Sequence, residues 1–183
     1  MRKLKYHEKK LLKKTNFYDW KSDDTTRESS IIRRYQIQDR DDYAKYNKIA
    51  GLVTKLTAQL RKLPSDDAER IKMTELLLEK LFAMGLTQSR QSLTLTEKLP
   101  ASVFCRRRLP VIMVETKMAE NLTNAIELIE HGHVRIGPDR VTNSALHVTR
   151  DMQDHITWAE GSKIKRHVQA YSGVEDDYEL LRN

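Results

Sequence analysis

The chain has 183 residues, a formal net charge of +7 and a single cysteine. This length predicts one hydrophobic core, or a small domain with helical extensions, and it does not suggest two independent enzymes on one chain. No stretch approaches the ~20 apolar residues that cross a membrane, and the lysine-rich start lacks the apolar centre of a secretory signal. We therefore expect a soluble protein of a reducing intracellular compartment, whose positive charge favours polyanionic partners.

The first 30 residues are predicted to form a basic N-terminal arm followed by a linker. Seven lysine and arginine residues stand against two acidic ones in residues 1–20, with Phe17, Tyr18 and Trp20 at the end of this stretch. Two interpretations stay open, a solvated arm or an arm that orders on RNA through stacking and phosphate contacts. The arm residues that would contact RNA are Lys3, Lys5, Lys9, Lys10, Lys13 and Lys14. The polar residues 22–30 are predicted to be the linker.

A helical region is predicted over residues 31–105, with two helices that form an antiparallel hairpin. Pro64 ends the first helix, Asp66-Asp67-Ala68-Glu69 begins the second, and Gly85 ends it. We expect the apolar stripe of each helix to face the core, as in most amphipathic helices, with a groove for a partner as the alternative. The residues predicted to face inward are Ile49, Leu52, Val53, Leu56, Leu60 and Leu63, and then Ile71, Leu77, Leu78, Leu81 and Phe82. Residues 87–98 are predicted to be a polar connection.

Residues 106–137 combine charge, helical spacing and turn residues in one segment. A helix is predicted to begin just after Arg106-Arg107-Arg108, because Pro110 is tolerated in a first turn. A second amphipathic helix covers residues 122–130, and Gly132 can take the left-handed conformation that ends it. A strand then begins at residue 134, with Arg135 on its polar face, and residues 137–139 form a turn.

This arrangement resembles the S4 RNA-binding domain family, to which small-subunit ribosomal protein S4 belongs. The resemblance is carried by Arg107-Arg108-Leu109, residues 122–130, Gly132-His133-Val134-Arg135-Ile136, Val141, and His155-Ile156-Thr157-Trp158. It implies an α+β, mainly helical fold, in which the N-terminal helical region packs on an S4-like RNA-binding module with a small β-sheet. That module would cover residues 106–171, and an acidic C-terminal tail would cover residues 172–183.

Residues 1–14, 104–113 and 149–154 are similar to the nucleolar branch of this family, whose members belong to the U3 small nucleolar ribonucleoprotein. The resemblance implies a nucleolar, hence nuclear, assembly factor of the small-subunit processome. Its RNA partners would be U3 snoRNA and pre-18S rRNA, whose pairing it would promote or stabilise for early pre-rRNA processing. Its protein partners would be the M-phase phosphoprotein of the U3 particle and other processome proteins, with no membrane. Two alternatives stay open, a protein-bridging subunit with nonspecific RNA affinity and a structural subunit of the ribosomal S4 type.

The candidate RNA contacts are basic residues, because arginine meets phosphate oxygens two at a time. They are Arg106, Arg107, Arg108, Lys117, His133, Arg135 and Arg140, with a second cluster at Lys163, Lys165 and Arg166. A plain solvent-exposed face is an equal alternative for that second cluster. No catalytic residue, metal or cofactor is predicted, because His131 and His133 lack further ligands and Cys105 lacks a catalytic partner set.

Overall fold

The computed structural model describes residues 2–14 and 22–173. The predicted aromatic group at Phe17, Tyr18 and Trp20 lies outside the described residues, as does the predicted acidic tail from residue 174 onward. The helices are Tyr6–Lys14 (α1), Ser22–Tyr35 (α2), Arg40–Leu60 (α3), Ala68–Ala83 (α4), Ser102–Arg106 (α5), Leu109–Glu115 (α6), Leu122–Glu130 (α7), Arg150–Gln153 (α8) and Lys163–Ser172 (α9). The strands are Val134–Ile136 (β1), Asp139–Val141 (β2) and Ile156–Trp158 (β3), and a short 3-10 helix spans Leu93–Thr96.

The predicted S4-like module is present as two packed helices and a small antiparallel sheet. Helices α6 and α7 pack together, and the strand order in the sheet is β2-β1-β3. Pro110 stands in the first turn of α6, and Gly132 follows α7 with a φ of 71°. The core of the module is formed by Leu109, Ile112, Met113, Ala125, Ile129, Val134 and Val148. The α+β, mainly helical fold class is therefore confirmed.

The predicted helical hairpin is present as α3 and α4, but the prediction of which residues face inward was partly wrong. Leu60, Leu78 and Leu81 are buried, and Val53, Leu77 and Phe82 are half-buried. Ile49, Leu52, Leu56, Leu63 and Ile71 are instead exposed. The buried face of α3 uses smaller residues, Ala50 and Thr57, one helical position away from the leucines. The apolar residues of α3 thus occupy more of its circumference than its neighbours cover.

The prediction of a linker at residues 22–30 was wrong, because these residues belong to helix α2. The C-terminal end of α2 is anchored in the core, where Ile31, Ile32 and Tyr35 pack with Cys105 and Val111. A helix held at one end can continue through polar residues, since each further residue adds a backbone hydrogen bond. The predicted polar connection at residues 87–98 is also partly packed, with the buried hydroxyls of Thr57 and Thr96 sharing a 3.1 Å hydrogen bond.

The S4-like module contacts the C-terminal end of α4 through two basic side chains. Arg150 donates to the carbonyl oxygens of Phe82 at 2.9 Å and Thr87 at 2.8 Å, and its guanidinium carbon lies 4.1 Å from the centre of the Phe82 ring. His147 Nε2 donates to the carbonyl of Met84 at 3.1 Å. These hydrogen bonds to backbone carbonyls at and just after the end of α4 join the two regions.

Candidate nucleic-acid interface

The three consecutive arginines at the junction of α5 and α6, residues 106–108, have side chains in three different environments. Arg106 is exposed, and its Nε donates to the hydroxyl of Tyr35 at 3.2 Å. Arg107 is half-buried, with Nε donating to the Val148 carbonyl at 3.0 Å and Nη1 donating to Gln153 at 2.9 Å. The triplet is therefore not one continuous basic surface.

Burial lowers the pKa of Arg107, although an arginine in a protein keeps its charge. The close approach of its side chain to the α4 end depends on Gly85. A Cβ at Gly85 would stand 2.7 Å from Arg107 Nε, and Gly85 has a φ of 75°. Arg107 therefore packs against the end of α4 while its hydrogen bonds stay within the S4-like module, and it offers little of its guanidinium to a ligand.

Arg108 is a core residue in this structure, so we remove it from the candidate RNA contacts. Its side chain is 3% exposed, and Nη1 lies 3.4 Å from the carboxylate of Asp42 on α3. The physical reason is the position of Arg108 just before α6, where its backbone pairs with His147. That pairing directs the side chain under α3, and a buried arginine needs a partner of opposite charge.

The outer face of the sheet carries two of the predicted contacts side by side. The register pairs Arg135 with Arg140 on β2 and with Thr157 on β3, while Val134 and Ile136 face the core. Arg135 Nε donates to the Thr157 hydroxyl at 3.0 Å, and Nη1 donates to Glu160 at 2.8 Å. Like charges directly opposite each other on two strands destabilise a sheet, which makes this pairing notable.

Further predicted contacts lie next to this sheet face. The Arg140 side chain passes over Gly132, where an added Cβ would meet its Cδ at 3.1 Å. His133 Nδ1 lies 2.9 Å from the Ser162 hydroxyl, which also caps the first turn of α9. The Ser162 contact places the start of α9 beside the sheet. Lys163 and Arg166 on that helix are exposed, and Lys165 is half-buried.

The remaining predicted contacts are exposed but separate in the structure. Lys117 lies in the turn between α6 and α7, in a left-handed conformation with a φ of 61°. Lys9, Lys10, Lys13 and Lys14 belong to α1, a helix without buried residues, and Lys3 and Lys5 precede it. Their contacts with RNA stay a prediction.

Within residues 2–14 and 22–173, no group of three or more histidine, cysteine or acidic side chains is arranged to hold a metal ion. No helix in the described part of the chain is long and apolar enough to cross a membrane. Cys105 is buried, and burial raises the pKa of its thiol. A raised pKa leaves less of the reactive thiolate, which fits a packed side chain.

Comparison with known proteins agrees with the two regions of the fold. Residues 3–100 match the model of the ribosomal protein S4/S9 N-terminal domain. Residues 107–154 match the S4 domain model. The mouse U3 small nucleolar ribonucleoprotein protein IMP3 is 46% identical over 98% of this chain and 98% of its own length. The chain belongs to the IMP3 family.

Two other relatives, one inside the family and one outside it, show how far the sequence identity falls beyond the family. The Saccharomyces cerevisiae IMP3 protein is also 46% identical, over 98% of this chain and 99% of its own length. The small ribosomal subunit protein uS4 of Sulfurisphaera tokodaii is 27% identical over 87% of this chain and 89% of its own length. The resemblance to the S4 family and to its U3 branch, predicted from the residues, is thus confirmed.

Sequence reasoning missed one group of exposed arginines. Arg33 and Arg34 are exposed in the last turn of α2, directly before the buried Tyr35 that contacts Arg106. The available signal was the helical spacing of Ile31, Ile32 and Tyr35, which extends a helix back through the supposed linker.

Proposed function

We propose that this protein is an RNA-binding subunit of a U3 small nucleolar ribonucleoprotein, acting in the nucleolus on the precursor of the small ribosomal subunit. The observation that carries the proposal is the cross-strand pair of Arg135 and Arg140 on the outer face of the sheet. Family membership supports the identity of the particle, since relatives that match this chain along nearly their whole length are named as U3 proteins.

The geometry of the pair suits a phosphate ligand. Two guanidinium groups on one face of a sheet can bind neighbouring phosphates in a bidentate manner. The ion pair of Arg135 with Glu160 is exposed, with side-chain exposures of 31% and 73%. Exposed ion pairs contribute little, about 0–1 kcal/mol, so a phosphate can replace the carboxylate. An incoming phosphate would also relieve the repulsion between the two arginines.

The finer function is the pairing of U3 snoRNA with pre-18S rRNA, by promotion or stabilisation. A basic face promotes pairing of two RNA strands because it screens the repulsion between their phosphates. This mechanism requires neither nucleotide hydrolysis nor a catalytic residue. It would support the early cleavages of pre-rRNA within the small-subunit processome.

The first test is in-cell ultraviolet crosslinking, with sequencing of the bound RNA. The R135Q/R140Q variant is compared with the native chain and with K72Q/K80Q, which removes the same charge from exposed positions on α4. We expect crosslinks on U3 snoRNA and on the leading part of the pre-18S transcript, weakened in R135Q/R140Q alone. Crosslinks scattered over abundant RNAs and equal in all three proteins would reject the proposal. Such a result would favour a protein-bridging subunit with nonspecific RNA affinity.

Sedimentation separates the assembly factor from a ribosomal subunit of the S4 type. An assembly factor should migrate with large precursor particles and be absent from translating ribosomes. Stable presence on mature small subunits would support the ribosomal alternative. A strand-annealing assay with labelled U3 and pre-rRNA segments then distinguishes faster pairing from a merely more stable duplex.

A protein-binding surface is proposed on the exposed side of the helical hairpin. Leu52 is 55% exposed and Leu76 is 54% exposed, with Leu56 and Met73 one turn away on their helices. Exposed apolar side chains that form one contiguous patch commonly mark protein contacts, and we propose that these four do so. The resemblance suggests the M-phase phosphoprotein of the U3 particle as the partner. Leu52→Asp with Leu76→Asp should abolish its co-purification and leave RNA crosslinks intact, and unchanged co-purification would place the contact elsewhere.

A further inference from the structure

The last turn of α2 carries an arginine groove that lies outside the S4-like module. Among the described residues, this groove is lined by Ser29, Ser30, Arg33 and Arg34. Arg33 and Arg34 are exposed. All four lining side chains are polar, and the arginines can donate several hydrogen bonds each.

Tyr35 connects this groove to the S4-like module. Its ring is buried, with 9% of the residue exposed, and is therefore held in one place. The guanidinium carbon of Arg34 lies 5.9 Å from the ring centre, and Arg106 Nε donates to the Tyr35 hydroxyl at 3.2 Å. Arginines from two distant parts of the sequence thus meet around one fixed side chain.

These arginines are not used in ion pairs within the described part of the chain. The ion pairs found there leave out Arg33, Arg34 and Arg106. The hydrogen bond to Tyr35 is the main cause that raises the pKa of Arg106, and attraction to Glu115 adds to it without an ion pair between the two side chains. Basic residues at the C-terminal end of a helix interact favourably with the helix dipole, and this would account for the presence of Arg33 and Arg34. The dipole does not account for the convergence of Arg106 on the same tyrosine.

We propose that Arg33, Arg34 and Arg106 form a second binding site for RNA backbone phosphates, here called the α2 arginine site. This inference rests on the proposed function and adds the N-terminal region to the RNA surface. An RNA backbone fits better than an acidic protein segment, because protein interfaces have apolar and aromatic centres, whereas the residues that line this groove are polar. Phosphate contacts require only donors and charge, and they position an RNA without reading its sequence.

The test is the salt dependence of binding to a U3 snoRNA transcript, measured with the full chain. R33Q/R34Q is compared with the native chain and with K72Q/K80Q, which loses the same charge from exposed positions on α4. Each lost phosphate contact lowers the slope of log affinity against log salt by about 0.7 for single strands or about 0.9 for duplex. We expect R33Q/R34Q to lower the slope by about 1.4–1.8 and the affinity roughly 10-fold. K72Q/K80Q should keep the native slope.

Equal slopes for R33Q/R34Q and K72Q/K80Q would overturn the α2 arginine site. Including R135Q/R140Q separates this failure from failure of the proposed function. If R135Q/R140Q loses affinity while R33Q/R34Q matches the control, only the α2 arginine site is wrong. If the native chain binds a scrambled transcript as tightly as U3 snoRNA, the proposed function fails, and the slope of R33Q/R34Q against K72Q/K80Q still decides the α2 arginine site, because phosphate contacts do not depend on RNA sequence.

A polyglutamate peptide tests the protein alternative. Loss of peptide binding in R33Q/R34Q, with an unchanged RNA slope, would assign the groove to an acidic protein and overturn the proposal. Circular dichroism and thermal unfolding check that the exposed substitutions leave the fold intact. Arg33 and Arg34 make no described hydrogen bond to another element, so we expect native melting temperatures.

Discussion

The sharpest test of the arginine triplet is the buried pair of Arg108 and Asp42. If Arg108 is a core residue, its loss should lower stability and leave RNA affinity nearly unchanged. The two partners differ in burial, with 3% of the Arg108 side chain exposed and 15% of the Asp42 side chain exposed. Asp42 also accepts a hydrogen bond from the exposed Lys45 at 3.2 Å. Removal of Arg108 and removal of Asp42 should therefore lower the stability by different amounts.

The expected magnitudes follow from this difference. Asp42→Ala leaves a buried guanidinium without its partner, which costs about 3–5 kcal/mol in buried pairs. The 3.4 Å separation and the residual exposure of Asp42 place this variant near the lower end, at about 3 kcal/mol. Arg108→Met keeps an apolar stem and leaves Asp42 with Lys45 and solvent, so we expect only about 1–2 kcal/mol. The double variant should be no less stable than Asp42→Ala, because the orphaned charge is gone.

The assay is chemical and thermal unfolding of the two single variants and the double variant, combined with RNA binding. For a domain of this size, 3 kcal/mol corresponds to a fall in Tm of roughly 6–12 °C. Arg106→Ala serves as the control, since Arg106 is exposed and its loss should affect RNA binding more than stability. The reasoning is refuted if Arg108→Met keeps the native Tm but loses RNA affinity to the same extent as Arg106→Ala.

Two further predictions concern the contact between the S4-like module and α4. Arg150→Met removes two hydrogen bonds to the Phe82 and Thr87 carbonyls, and we expect a loss of about 2–4 kcal/mol in urea unfolding; a change within 0.5 kcal/mol, about the range of ordinary surface substitutions, would contradict this. Burial lowers the pKa of His147, so the unfolded chain takes up a proton first as pH falls below the ordinary value of 6.5. Stability should therefore decline as pH falls through that value toward the lowered folded pKa, and His147→Gln should flatten this part of the profile of Tm against pH. An identical profile in the variant would argue against His147 as the source.

Local signals in the sequence were sufficient to predict α6, α7 and β1 of the S4-like module. Pro110 can stand only near the start of α6, and Gly132 provides the positive φ that ends α7. The alternation of Val134, Arg135 and Ile136 defines which face of β1 is buried. These features depend on neighbours within a few residues, so they can be recognised without knowledge of the tertiary fold.

The burial of the hairpin leucines could not be predicted from the same kind of pattern. Apolar residues cover a wide part of α3, but among the described residues the fully buried ones of this helix are Ala50, Thr57 and Leu60. Helical spacing shows which residues share a face, and it does not show how much of that face the neighbouring elements cover. Leu52 and Leu56 are therefore exposed despite a regular apolar pattern.

The sequence by itself determined the fold class, the helical hairpin, the elements from α6 to β1, the basic charge and the position of Arg135 on the outer face of the sheet. Only the tertiary structure decided the surroundings of the arginine triplet, in which Arg106 donates to Tyr35, Arg107 packs against Gly85 at the end of α4 and Arg108 pairs with Asp42. The partners of Arg106 and Arg108 lie more than sixty positions away in the chain. Charge in a sequence is a local property, whereas the burial and pairing of a charge depend on distant residues that folding brings together.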